Sequence, residues 1–309
     1  MPLPSDEKLV ANATELLGLF KGAFGTPAGY RPAHAKGQLL SGTFTPSAEG
    51  KALSKAPHFQ APSTPVLVRF SDSTGIPKIP DTDGNSKPHG IAIRFNLPDE
   101  NGKRKHTDIV AHSTPHFPVQ TGEDFIAFLK ALGGGTIGEF LGTHPAAARF
   151  VGAPKPFPVS FGTERYFGLN AFKLISPDGK ETWTRYHILP TAGYQTIEDA
   201  EAEKKGENYL FDEVKERVKS GPIGFKIMAQ IAEEGDVTDD ITNEWPDSRK
   251  QVELGTFEIK DVVEDSESVQ KNAIFDPIPR VEGIEPSADP ILEFRAALYL
   301  ISGRERRAA

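Results

Sequence analysis

Cysteine is absent from the 309 residues, which excludes disulfides, thiolate metal sites and cysteine nucleophiles and leaves thiol usage silent on the redox compartment. Any metal ligand must then be His, Tyr, Met or a carboxylate, and there are only 2 Met. Positive charge is also scarce. The 35 Lys plus Arg stand against 43 Asp plus Glu, a formal net charge of -8 that repels phosphate backbones and predicts no nucleic-acid partner. No window reaches about 18 consecutive apolar residues, so no membrane span is expected. The opening MPLPSDEKLVANATELLGLF lacks the basic start and unbroken apolar run of a secretory signal, which predicts a cytoplasmic protein. At 38% hydrophobic and 25% charged residues, the composition is that of an ordinary folded chain.

Residues 6–24 set Leu9, Val10, Ala13, Leu16, Leu17 and Phe20 at helical spacing behind a Ser5 cap, predicting an N-terminal helix within 1–24 that packs on the core. From Gln38 to His112 the texture changes to short β-prone runs, Leu39–Phe44, Val66–Phe70, Ile91–Asn96 and Thr107–His112, divided by Gly, Pro, Asp and Asn clusters. Between Thr121 and Val151 it is helical, with Phe125, Ile126, Phe128, Leu129 and Leu132 on one face and Gly133 to Gly135 as a stop. Strands resume at Asn170–Ile175 and Thr182–Leu189 around the turn Ser176-Pro-Asp-Gly179, then at Ile223–Ala232 and Gln251–Ile259. Residues 199–220, acidic and lysine-rich, read as a solvated outer helix, and Asp289–Arg306 as a final helix. With no repeat and no linker, the expectation is one domain over 1–309 of class α+β. About eight strands would form a closed antiparallel β-barrel with flanking α-helices, because closure removes exposed edges.

Four local patterns carry chemistry. In Arg295-Ala-Ala-Leu-Tyr299 the arginine lies one helical turn before the tyrosine, so a guanidinium can sit beside the phenol oxygen. A positive neighbour favours phenolate, a hard anionic ligand suited to ferric haem; alone, such a pair is ordinarily a surface contact. In Arg31-Pro-Ala-His34-Ala-Lys-Gly37, a neutral His34 could take a proton from a peroxide and return it to the leaving oxygen, although a lone histidine before a strand is more often structural. In Val66-Leu-Val-Arg69-Phe70-Ser71 a buried-looking arginine needs an anion, for which a haem propionate would serve. His106, His112 and His116 invite a non-haem metal reading, but their alternation gives no shared geometry and no nearby carboxylate completes a set.

Taken in order, these patterns resemble the haem catalase superfamily. The resemblance runs with gaps from about Arg31 to Arg306. It rests on Arg31-x-x-His34-Ala-Lys-Gly37, Thr64-Pro65-Val-x-Val-Arg69-Phe70-Ser71, Pro88-His-Gly-Ile-Ala-Ile-Arg-Phe95, Thr114-Pro115-x-Phe117, Phe125, Asp240-Ile-Thr-Asn-Glu-Trp-Pro246 and Arg295-x-x-x-Tyr299 with Arg306. It implies haem, heme b by expectation, with iron ligated by Tyr299 and the phenolate held by Arg295. It implies His34 as the acid/base on the opposite haem face, oriented by Ser71, with Arg31, Arg69 and Arg306 on the propionates and Phe117 and Phe125 lining the distal side. His112 stands where typical members carry an Asn that helps hold hydrogen peroxide, and Pro118 where a second Phe is expected. The chain also lacks the long N-terminal arm and C-terminal helical domain of full-size members, and so resembles the small catalase-related peroxidases.

The expected function is therefore a haem peroxidase that reduces organic hydroperoxides, with hydrogen peroxide a second substrate, at the cost of an organic electron donor and with weak or no catalase activity. His112 joins His34 and Ser71 as a candidate catalytic residue. A small monofunctional catalase is the first alternative. A fatty-acid hydroperoxide isomerase of the allene oxide synthase type is the second, disfavoured because Ala33 stands where that branch has a hydroxyl-bearing Thr. A haem-binding module without turnover is the third. The expected assembly is a monomer or homodimer.

Overall fold

A computed structural model describes residues 3–309. Eight antiparallel strands, β1 (Gly37–Pro46), β2 (Thr64–Ser71), β3 (Gly90–Glu100), β4 (Lys103–His112), β5 (Tyr166–Ile175), β6 (Glu181–Pro190), β7 (Ile223–Ile231) and β8 (Gln251–Val262), follow one another around a closed ring. Each pairs with the next in the chain, and β8 returns to β1 with Phe44 opposite Phe257. This is the expected barrel. Its strands are longer than their apolar runs because ladder pairing continues past the last buried side chain, as in the exposed end of β3.

Alternation along the strands makes two environments. Val66, Val68 and Phe70 of β2, Ile91, Ile93 and Phe95 of β3, and Phe225 and Phe257 opposite them fill the barrel. Phe70 stacks on Phe161 with ring centres 5.2 Å apart and planes at 2°, and Phe225 on Phe257 at 5.2 Å and 14°. The other face of β2 to β4 presents Arg69, Ser71, Gly90, Ala92, Val110 and His112 to a cavity outside the barrel.

Helices pack around the barrel. They include α1 (Glu7–Phe24), α2 (Gly122–Gly133), α3 (Ile137–Thr143), α4 (Pro145–Gly152), α5 (Tyr209–Ser220), α6 (Ser266–Asn272) and α7 (Pro290–Ala308), of which α1, α2, α4 and α7 contribute side chains to the cavity. Ala13, Leu16 and Leu17 of α1, Ile126 of α2 and Phe294, Ala297 and Leu298 of α7 form one apolar cluster. Asp6, not Ser5, caps α1, with its carboxylate accepting from Leu9 N–H at 3.1 Å. The Asp6 side chain faces the amide three residues on, which is the geometry of an N-cap. The expected solvated helix at 199–220 is a four-residue turn (Asp199–Ala202) followed by α5, whose Leu210, Phe211, Val214 and Val218 are buried in the main core. Its charged residues had masked an apolar stripe at steps of one, three and four. No helix among the described residues is long and apolar enough to cross a membrane.

One histidine belongs to the core. His58 is 1% exposed, lies against Phe59 and Phe95 with ring centres 4.2 and 4.5 Å away, and has no partner for Nδ1. Burial lowers its pKa from 6.5 to about 3. The folded protein thus holds it neutral while the unfolded chain protonates it below about 6.5. Stability from this site is full above that pH and falls, by about 1.4 kcal/mol per pH unit, as pH drops toward 3. Urea unfolding of His58→Met between pH 7 and 5 should show a correspondingly shallower pH dependence than wild type; equal slopes would refute the assignment.

Candidate active site

Terminal helix α7 supplies one wall of a cavity of about 350 Å³. Arg295, Tyr299, Ser302 and Arg306 recur at steps of four, three and four, so they share one helix face and all reach the cavity, while Phe294 and Ala297 face α1 and α2. Arg295 Nε donates to the Tyr299 phenol oxygen at 3.1 Å, and Arg295 Nη1 donates to Asn170 Oδ1 at 2.5 Å. Asn170 Nδ2 in turn donates to Asp289 Oδ2 at 3.0 Å, and Asp289 caps α7 through Ile291 N–H at 2.9 Å. Burial raises the Asp289 carboxyl to about 6, against the hydrogen bonds from Ile291 and Asn170. Asn170 reaches this position because β5 bulges between Gly168 and Phe172, where it gains two residues on β6. A bulge turns a side chain out of its alternating place.

His34 supplies the facing chemistry from the loop before β1. Its φ of 56° lies in the left-handed region, which a non-glycine residue occupies only when held there. Three contacts hold it. His34 N–H donates to Ser73 O, Ala35 N–H to Thr74 O at 2.9 Å, and Arg69 Nη2 to the His34 carbonyl at 2.9 Å. The Nδ1 atom is 3.1 Å from Ser71 Oγ. Enclosure by the protein is the largest of the causes that lower His34 to about 3, followed by the positive Arg69 and by His89. His34 is therefore a neutral imidazole near pH 7. Gly90 leaves room for the pair: a Cβ there would lie 2.7 Å from Ser71 Oγ and 2.9 Å from His34 Nδ1.

At one end of the cavity three guanidiniums converge. Arg31 Nη2 and Arg306 Nη2 both donate to Ala273 O at 2.9 Å, Arg306 Nη1 donates to Ser302 Oγ at 2.8 Å, and Arg69 Nε donates to Gln270 Oε1 at 2.6 Å. None of the three has a carboxylate within ion-pair distance among the described residues. Burial lowers all three, Arg69 to about 9 and Arg306 to about 10. Arg31 is depressed further by Arg69 and Arg306, and Arg69 by Arg306. Buried like charges without counter-charges are unfavourable unless an anion joins them, so this end is built to receive an anionic group.

All ten residues singled out from the sequence, His34, Ser71, His112, Arg31, Arg69, Phe117, Phe125, Arg295, Tyr299 and Arg306, line this cavity. His112 faces it with Nε2 unpartnered and is lowered to about 3 by burial first and His34 next. Its two sequence companions lie elsewhere: His106 is 3.9 Å from Asp108, and His116 binds Glu244 at 2.7 Å. Among the described residues no group of three His, Asp or Glu side chains is placed to hold a metal ion. The sequence reading did not pick out Asn170 as the link between Arg295 and Asp289, nor Phe20, Phe128, Leu129, Phe150 and Ile241 as cavity walls. Only the β5 bulge could have signalled Asn170, and bulges carry no mark in alternation.

Gly90→Ala should push the Ser71 hydroxyl or the His34 ring from its place, and a structure of that variant in which both superpose on wild type would refute the close-approach role.

The catalase family model matches residues 29–309. The chain is 35% identical over 303 residues to a catalase-related peroxidase of Mycolicibacterium paratuberculosis, covering 94% of both proteins. It is 31% identical over 304 residues to a catalase-related peroxidase of Synechococcus elongatus, covering 94% of this chain and 88% of that one. Among solved structures it is similar to a fungal catalase, with a TM-score of 0.80 at 21% identity. That match covers 91% of this chain, which spans 59% of the fungal one.

Proposed function

The chain belongs to the catalase family, and on that premise we propose that it is a haem-dependent peroxidase that reduces organic hydroperoxides, and hydrogen peroxide as well, with electrons from an organic donor. It is an oxidoreductase acting on peroxide. The observation that carries the reading is the convergence on one cavity of a histidine–serine pair, an arginine-backed tyrosine and three guanidiniums with no carboxylate partner among the described residues. That donor set fits haem: Tyr299 would be the iron ligand, and Arg31, Arg69 and Arg306 would neutralise the propionates. Once bound, haem supplies the redox-active iron at which the O–O bond is split.

The chain's own residues do the remaining work. Ser71 Oγ engages His34 Nδ1, which leaves Nε2 as the nitrogen free to take the peroxide proton and pass it to the leaving oxygen. His34 is neutral at physiological pH because burial and Arg69 oppose its charging, so it begins the cycle as a base. Arg295 donates to the Tyr299 oxygen and is itself fixed by Asn170, an arrangement that would hold that oxygen in place as the ligand. Phe117, Phe125, Phe128, Leu129, Phe150 and Ile241 make the approach apolar, which suits a hydroperoxide with a hydrocarbon body. His112, a neutral imidazole beside His34, would hold the peroxide's second oxygen.

The purified protein should show a tyrosinate-ferric haem spectrum, and Tyr299→Phe should abolish it along with most haem retention; an unchanged spectrum refutes the ligand. His34→Ala should keep haem yet slow peroxide reduction by about 100- to 10,000-fold. Vigorous oxygen release from hydrogen peroxide without oxidation of a chromogenic donor would overturn peroxidase in favour of catalase.

A further inference from the structure

Beside the cavity, and not part of its lining, lies a second group of ionisable side chains. Asp72 follows Ser71, His89 precedes Gly90, and Glu164 precedes β5; their exposures are 1%, 0% and 2%. His89 Nε2 is 3.8 Å from Asp72 Oδ1, and His89 Nδ1 is 3.9 Å from Glu164 Oε2. Both His89 ring nitrogens and both Asp72 carboxyl oxygens are buried without a hydrogen-bond partner among the described residues. Leaving a buried polar group unsatisfied is costly, and four such atoms in one place demand a reason beyond packing. Separations of 3.8 and 3.9 Å exceed a direct hydrogen bond but fall within reach of one bridging water or a small rotation.

The group has an inner and an outer end. On the inner side Asp72 directly follows Ser71, whose Oγ is 3.1 Å from His34 Nδ1, and His89 directly precedes Gly90, where a Cβ would lie 2.9 Å from that same nitrogen. Toward the surface, Asp72 Oδ2 is 3.8 Å from Lys36 Nζ, which also binds Asp81 and donates to Glu207 O at 3.2 Å at an exposed edge. The charged and titratable groups facing the set are His34 and Arg69 inward, Lys36 and Asp81 outward, and Tyr166 and Tyr209 from the barrel and α5. Burial first and Asp81 next push the Asp72 carboxyl well above its usual range, with Lys36 opposing them.

We propose that Asp72 and His89 relay protons from the surface at Lys36 to His34, by a route separate from the one the substrate takes. The proposal rests on the peroxidase reading. There, a hydroperoxide plus two protons and two electrons gives an alcohol and water: the O–O bond breaks, the proton of the terminal oxygen passes through His34 to the alcohol oxygen, and the terminal oxygen takes up two further protons and leaves as water. The organic donor supplies the electrons and releases its protons where it is oxidised, whereas water forms beside His34. Protons must therefore be delivered to His34 after each O–O cleavage, and the buried set leads there without crossing the apolar walls. Asp72 and His89 act through His34 and are relay residues, not groups that touch substrate.

The test uses the haem-loaded protein and two variants, Asp72→Asn and His89→Gln, so that loss of one to misfolding leaves the other. Infrared difference spectra between pH 5 and 8 should contain a protonated-carboxyl stretch that Asp72→Asn removes and His89→Gln shifts; a wild-type spectrum without that band overturns the relay, whatever the turnover. In stopped flow, each variant should slow the donor-driven return of the haem band at least tenfold more than it slows the peroxide-driven change, and its solvent deuterium isotope effect should rise. Equal slowing of both phases, or none, overturns the proposal. Wild type that gives no peroxide-driven change at all overturns the peroxidase reading instead, and the infrared band still decides the relay.

Discussion

The Arg69 guanidinium leaves the outer face of β2 and donates Nη2 to the carbonyls of His34 at 2.9 Å and Ala35 at 3.3 Å, while Nε donates to Gln270 at 2.6 Å. One side chain thereby ties the barrel wall to the loop that presents His34 and to α6. The space it occupies is the space a side chain on residue 37 would need, since a Cβ on Gly37 would lie 2.2 Å from Arg69 Nη2. The strained backbone at His34 is held because Arg69 fixes its own carbonyl and that of Ala35. The same positive charge lowers His34, so position and protonation state come from one contact.

The barrel was legible because its strands alternate cleanly. Val66, Val68 and Phe70, or Ile91, Ile93 and Phe95, announce a core face through period two, and Gly, Pro and Asp clusters mark their ends. The residues of the candidate site were legible for a different reason. Arg295 and Tyr299, or Arg69 and Ser71, sit at fixed spacings within a single element, and spacing survives in the sequence. Contacts made across elements left no such mark. Asn170 meets Arg295 only through a bulge, and α5 hides its buried stripe behind Asp, Glu and Lys. Asp72, His89 and Glu164 come from three separate segments, and no spacing within one element links them.

The two walls of the cavity are made in different ways. On α7 the functional side chains follow from helical repeat, and the helix is held by its apolar face against α1 and α2 and by the Asp289 cap. Its small residues matter as much as the charged ones: at Gly303 a Cβ would lie 2.2 Å from Ile274, so the segment carrying Ala273 can lie close enough to accept from Arg31 and Arg306. On the barrel side, precision comes instead from strand pairing. Gly90 pairs with both Ser71 and His112, which puts the residues on either side of the cavity floor in one row across three strands.

Seven of the eight junctions around the ring are ladders of many residues, but β4 and β5 meet at a single register pair, His112 with Phe167. Both residues line the cavity. A tube slit along part of its length is much softer in torsion than a closed one, and it deforms at the slit. The barrel therefore concentrates its mechanical compliance between β4 and β5, beside His112.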